Sequence, residues 1–245
     1  MLDAVFQHIR TTANVGDQQC CPMEYFDFGH SHAMDFGEDI PPCHRAVFGG
    51  GQVFRQSVDA VIYHSAQART RIIWGVGISV EAANTILFEI ARAACALVSS
   101  RNVNVPGCEY VPCVSAMSPL FDTPPSPRHE LVAFLHARKS NAVTIPAHIP
   151  VMTNHAPDMP KVIAHLASGE TVLTNSYHGT YWAMLLGRKV LCMPFSGKFD
   201  GFADAPTMTT PDSWQAALPH ARQHPELLDD ARKRNRDFFG KVMNL

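Results

Sequence analysis

The chain of 245 residues predicts an α/β protein built from two Rossmann-type domains with parallel sheets and a cleft between them. Three observations lead there. Apolar runs of strand length alternate with helical segments in both halves. Pro124, Pro125 and Pro127 fall together near the middle of the chain, where neither a helix nor an inner strand can continue. The glycine-rich and polar motifs follow predicted strands, which is where open parallel sheets bind their ligands. The boundary is accordingly placed between 123 and 128, with an N-terminal domain over residues 1–123 and a C-terminal one over 128–245.

Residues 46–48, 71–74, 96–98 and 110–114 read as strands of the first half, and residues 81–94 as its clearest helix. In the second half, 131–135, 171–174 and 189–193 read as strands, with helices over Met159–Ala167 and 179–186. The last segment, 225–243, begins at a proline and has acidic residues early (Glu226, Asp229, Asp230) and basic ones later (Arg232, Lys233, Arg234, Arg236). That order suits a helix dipole. Phe238, Phe239 and Val242 form its apolar face and would pack back across the domain junction, leaving the basic residues solvated.

A net charge of −2 with 46% hydrophobic and 17% charged residues is a soluble globular composition with no footprint for nucleic acid. No apolar run approaches the ~20 residues of a membrane span and no secretory leader is recognisable, so a cytoplasmic location is expected. The seven cysteines, an odd and scattered number, indicate reduced thiols rather than a disulfide framework. Cys108 and Cys113 lack a second pair at zinc-ligand spacing, and His30 and His32 stand in a polar stretch expected to be a surface loop, so no metal is assigned.

The densest chemistry lies at Thr174-Asn175-Ser176-Tyr177-His178-Gly179, where a strand, a polar elbow and an apolar helix follow directly. Asn175, Ser176 and His178 put three hydrogen-bonding side chains into four positions, and the helix starting near Gly179 offers backbone N–H groups to an anion. Asn14-Val15-Gly16-Asp17 is a tight turn that turns the Asp17 carboxylate outward. Gly49, Gly50 and Gly51 end a strand and would let the backbone approach a ligand, as in phosphate loops. Trp74-Gly75-Val76-Gly77 is a second glycine-containing strand end. Arg101 ends a third strand with a guanidinium suited to carboxylate or phosphate, a surface arginine being the equal alternative. Ser196 and Lys198 follow the strand 189–193, and Lys198 is the preferred second anion ligand.

These motifs, in this order and followed by Leu185-Leu186-Gly187-Arg188-Lys189-Val190, resemble the polysaccharide pyruvyltransferase family from about Asn14 to Phe202. The resemblance implies a GT-B-like fold of two Rossmann-type domains. It also implies an enzyme that moves the pyruvyl group of phosphoenolpyruvate to two hydroxyls of a sugar, forming a ketal on an exopolysaccharide, capsule or cell-wall precursor. His178 would then be the active-site acid protonating the donor, and Asp17 a base or hydroxyl ligand. Asn14, Gly16 and the glycine run would bind acceptor, while Asn175, Ser176, Gly179, Ser196, Arg101 and Lys198 would hold the donor's charges. Ser176 replaces an arginine frequent in the family, and Arg101 and Lys198 are the candidates to substitute for it. The donor would be a substrate, with no cofactor and no metal. A lipid-linked acceptor would bring the protein to the cytoplasmic face of the membrane. The alternative on the same scaffold is a GT-B-type glycosyltransferase holding the diphosphate of a nucleotide sugar at His178, Gly179 and Lys198. A third reading is a non-catalytic sugar-binding or scaffold protein.

Overall fold

The computed structural model describes residues 1–140 and 142–245, with Val80 described by its backbone alone. The chain forms two compact units. The first comprises Met1–Thr12, Asp17–Met117 and Ala231–Leu245; the second comprises Ala13–Gly16 and Ser118–Asp230. Each carries one parallel sheet, so the expected pair of Rossmann-type α/β domains of a GT-B-like chain is what the structure has.

In the first unit the elements are β1 (Leu2–Gln7), the second half of α1 (Val15–Gln18), whose Val15 and Gly16 belong to the second unit, β2 (Ser31–Met34), β3 (Cys43–Gly51), α2 (Phe54–Asp59), β4 (Ala68–Val76), α3 (Val80–Ala83), α4 (Ile86–Ala93), β5 (Leu97–Ser100) and β6 (Glu109–Tyr110). The sheet runs β2-β1-β3-β4-β5-β6, parallel throughout. β3 and β4 are buried along most of their length, as expected of inner parallel strands covered on both faces. β1 and β2 are not among the predicted strands. β2 has the sequence Ser-His-Ala-Met and is an edge strand, so its polar residues conceal it; His32 belongs to this edge and His30 to the bend just before it. The strand expected over 110–114 stops at Tyr110, because Pro112 has no N–H for the ladder, and Val114–Met117 closes a 3-10 turn. The helix expected over 81–94 is divided at Thr85, whose hydroxyl accepts from Phe88 N and starts α4 afresh.

The second unit contains β7 (His129–Leu135), β8 (Val151–Thr153), α5 (Met159–Ala167), β9 (Gly169–Thr174), α6 (Tyr177–Leu185), β10 (Lys189–Cys192), β11 (Thr207–Met208), α7 (Trp214–Ala217) and the start of α8 (Leu227–Met243). Its sheet runs β11-β10-β9-β7-β8, again parallel. α6 is buried at every position, which is why its sequence is apolar on all sides rather than striped. Trp182 and Met184 within it are fully buried, each stabilising the unit by about 2–3 kcal/mol.

The boundary drawn at 123–128 assigns the last helix to the C-terminal domain, whereas residues from Ala231 onward cluster with the first unit. The aromatic stripe is the physical reason. Phe238 meets Trp74 edge-on at 4.8 Å and Phe239 stacks on Phe26 at 4.5 Å. Asn235, fully buried, accepts from Trp74 Nε1 at 3.1 Å and donates to Pro112 O at 3.1 Å. The basic face is also more engaged than a purely solvated one. Arg232 Nε donates to Ala116 O, Arg234 lies over the Tyr110 ring, and Lys241 pairs with Glu109.

Candidate functional site

Both sheets have a topological switch point, the place where successive strands leave in opposite directions and a crevice opens beyond the strand ends. In the second unit it lies between β7 and β9, since β8 adds beyond β7 and β10 beyond β9. His136 follows β7, Asn154 follows β8, Asn175 to His178 follow β9 and Phe195 to Lys198 follow β10. The C-terminal ends of four parallel strands therefore converge on the elbow that the sequence singles out.

The elbow is held rigidly. Thr174 Oγ1 accepts from Ser176 N at 3.0 Å, and Ser176 Oγ accepts from Gly179 N at 3.3 Å, an N-cap for α6. Ser176 thus consumes one of the helix amides that the sequence reading offered to an anion. Asn175 is committed as well. Its Oδ1 accepts from His136 N at 2.7 Å, and its Nδ2 donates to Lys139 O and Ser140 Oγ, both at 3.0 Å. Asn154 Oδ1 accepts from Ala137 N at 2.8 Å, so two buried amides clamp the loop after β7. Gly179 is a packing requirement, because a Cβ there would lie 2.4 Å from Phe134 Cδ1.

His178 is 5% exposed, with Tyr177 edge-on at 5.6 Å and Trp182 at 5.3 Å. Gly16 makes room for it: a Cβ at position 16 would stand 2.2 Å from His178 Nδ1. Asn14 Oδ1 accepts from Gly16 N at 3.2 Å and shapes that turn. Asn14 and Gly16 are thus brought to His178 within one unit. Lys198 joins through aromatics. Its ammonium lies 4.3 Å from the Phe195 ring centre and 5.1 Å from that of Phe199, and Tyr177 stacks on Phe202 at 4.8 Å. Phe195 is the exposed ring of the group and meets His136 edge-on at 5.4 Å. Ser196 is exposed and makes no capping bond to the turn Gly197–Phe199. His136 and the aromatic cluster were missed by the sequence reading. The signal for His136 was present, since it directly follows a predicted strand.

In the first unit the switch point lies between β1 and β3. Gly49, Gly50 and Gly51 are the last residues of β3, all at positive φ. A Cβ on Gly50 would stand 2.1 Å from the Cys20 carbonyl oxygen, and one on Gly49 2.8 Å from that of Trp74. These two glycines admit neighbouring backbone rather than a ligand. Gly51 differs, facing the Asp17 carboxylate, whose Oδ1 is 3.6 Å from its Cβ direction. Arg101 is not a surface arginine. It is 3% exposed, donates from Nη2 to Gln52 Oε1 at 3.1 Å, and passes so close over Gly77 that a Cβ there would meet its Nε at 2.8 Å. Cys20 and Cys113, both buried, place their sulfurs 3.7 Å apart. The Cys113 hydrogen bond and burial push the Cys20 thiol well up, which favours its protonated form. Among the described residues no helix is long and apolar enough to cross a membrane.

No family model and no curated protein matches the chain. Among solved structures, the Listeria monocytogenes protein assigned as a UDP-N-acetylglucosamine 2-epimerase shares the fold at a TM-score of 0.51 and 10% identity, over 96% of this chain and 90% of that one. The UDP-GlcNAc 2-epimerase of Methanocaldococcus jannaschii is similar at a TM-score of 0.47 and 8% identity, over 95% of this chain and 92% of that one. The first likeness corrects the expectation of pyruvyl transfer from phosphoenolpyruvate. A solved structure that shares this scaffold carries the name of a nucleotide-sugar enzyme.

Proposed function

We propose that this protein is an enzyme that binds a nucleoside-diphosphate sugar and acts on the bond between the sugar and the diphosphate, as a GT-B-type glycosyltransferase does. The observation that carries the reading is the β7/β9 switch point, where the start of α6, His178, Lys198 and the exposed Phe195 ring lie at successive strand ends. A diphosphate leaving group gains charge as the anomeric bond breaks. The positive end of α6 and the Lys198 ammonium suit that charge, and electrostatic stabilisation of this kind is commonly the largest catalytic contribution. Phe195 offers a π-face to the base or to the apolar side of a sugar. His178, placed by Gly16 and Trp182, is the proton carrier for a sugar or acceptor hydroxyl.

The test is a thermal-shift titration with UDP, UDP-N-acetylglucosamine and GDP-mannose on wild type, Lys198→Ala and His178→Gln. A nucleotide or nucleotide sugar at one hundred times its dissociation constant stabilises the folded state by about 2.7 kcal/mol. Stabilisation lost in Lys198→Ala, with release of nucleoside diphosphate on incubation lost in His178→Gln, is the expected result. A wild type indifferent to all three compounds sinks the reading.

A further inference from the structure

In the first unit, α4 is apolar on two sides, and the core covers one of them. Phe88 and Ala91 are its buried residues, with the Phe88 ring 5.4 Å from that of Phe54. On the other side Ile86, Leu87 and Ile90 are 77%, 49% and 50% exposed, and Ala93 and Ala94 carry that side on in the open. Positions 86, 90, 93 and 94 recur at helical spacing, and Leu87 adjoins them, so the five side chains make one stripe facing solvent. A surface helix ordinarily puts polar residues there. Exposed apolar residues scattered singly need no explanation, whereas a contiguous stripe marks an interaction surface.

Two features say what covers it. The stripe is graded in size, with Ile86 and Leu87 at its amino end, Ile90 in the middle, and Ala93 and Ala94 at its carboxyl end. A second α4 laid antiparallel about a two-fold axis at Ile90 sets Ile86 and Leu87 of each copy on Ala94 and Ala93 of the other, large on small at both ends. A patch that complements itself in this way is what a two-fold interface requires. Charge gives the same answer. Glu89 and Arg92 lie on one flank of the stripe and pair with each other at 2.6 Å. Antiparallel helices bring the same flank of both copies together, so each Glu89 carboxylate comes opposite the Arg92 guanidinium of the second copy, and unlike charges meet. A lipid surface suits the stripe less. Arg92 is the one cation between positions 80 and 94, against Glu81 and Glu89, whereas a helix lying on a membrane carries a basic polar face.

We propose that the solvent side of α4 is a homodimer interface, joining two copies of this chain through antiparallel α4 helices about a two-fold axis at Ile90. Ile86, Leu87 and Ile90 are its apolar centre, and Glu89 and Arg92 set its register.

The experiment follows the mass of the full chain by sedimentation velocity over a wide range of concentration, for wild type, Ile90→Glu, Glu89→Arg, and Glu89→Arg combined with Arg92→Glu. Wild type should pass with rising concentration from the 27.0 kDa monomer to a species of twice that mass. Ile90→Glu sets two carboxylates against each other at the axis and should weaken the dimer at least about tenfold. Glu89→Arg sets guanidinium against guanidinium and should weaken it several-fold, while the double reversal restores it, because each facing pair is again opposite in sign. The altered side chains stand at the surface, so every variant should keep the far-ultraviolet circular dichroism of wild type. A wild type that stays monomeric at all concentrations overturns the proposal. So does a dimer that Ile90→Glu leaves intact, which would put the interface elsewhere, or a double reversal no tighter than Glu89→Arg alone, which would remove the antiparallel register. Binding of wild type but not Ile90→Glu to phosphatidylserine vesicles, with no dimer in solution, overturns it in favour of a lipid surface.

Discussion

The two switch points sit at equivalent places in two parallel sheets, yet they are furnished by opposite means. Beyond β1 and β3 the chain has removed side chains. Gly49, Gly50 and Gly51 succeed one another at positive φ, and what fills the space is backbone, the Cys20 carbonyl above all. Beyond β7 and β9 the chain has added them. Asn154, Asn175 and Ser176 bond the loop backbone, and His178 is set among Tyr177, Trp182 and the space left by Gly16. A glycine-rich strand end and a polar strand end thus look alike as ligand-loop signatures, while the first is largely consumed by close packing and the second by hydrogen bonding to its own loops. The groups left to chemistry are fewer than the motifs that announce them.

Substitutions at the two places should separate these modes. Gly50→Ala should have the largest effect, because a φ of +75° and a Cβ 2.1 Å from the Cys20 oxygen cannot both be accommodated. Backbone strain and overpacking together predict a loss of about 3–5 kcal/mol, read from urea unfolding. A loss under 1 kcal/mol would mean the first switch point is open and the comparison is wrong. Next comes Asn175→Ala, which abandons the His136 amide and the Lys139 carbonyl. About 2–4 kcal/mol should be lost, with proteolytic cleavage appearing between 136 and 140. Intact resistance of that loop would show that Asn154 holds it alone.

The imidazole that ends the first region gives a pH test. Burial, and then the charge of Arg10, lowers His8 to about 4, against the opposing pull of Asp35. His8 is therefore neutral in the folded protein, whereas the unfolded chain takes up a proton near 6.5. Its contribution to stability is complete above that value and is lost as pH falls from 6.5 toward 4, by about 1.4 kcal/mol per unit at most. Between pH 7 and 5 stability should fall by about 2 kcal/mol. Hydrogen exchange should show that loss in peptides from β1 and β3, and His8→Asn should flatten it. An unchanged pH slope in the variant would remove His8 from the argument. The smallest effect belongs to Ser176→Ala. Losing the cap on α6 should cost about 1 kcal/mol, since only the Gly179 amide bond is forfeited and the helix is held by burial along its whole length. A cost above 3 kcal/mol would show that the elbow, not the packing, holds the helix.

The inner strands β3, β4, β7, β9 and β10 were legible because an inner parallel strand must be apolar on both faces, whereas β1, also an inner strand, was passed over. β2 was not legible, because an edge strand needs only one neighbour and its Ser-His-Ala-Met sequence carries no period. His178 was legible as a polar residue trapped between an apolar strand and an apolar helix. His136 was overlooked although the same rule marks it, and the clamp by Asn154 was hidden because β8 has only three residues.

What the sequence determined by itself was the α/β class and the two parallel sheets, since local hydrophobic pattern and proline placement are enough to specify them. It also put the polar elbow at a strand end, because chain order alone does that. Tertiary structure alone decided the use of each motif. Whether a glycine faces a ligand or a carbonyl, whether an arginine lies at the surface or beneath a strand end, and which domain a terminal helix joins depend on groups distant in sequence. Gly50 against Cys20, Arg101 over Gly77 and Asn235 against Trp74 are such pairs, and no local pattern encodes the close contact that fixes them.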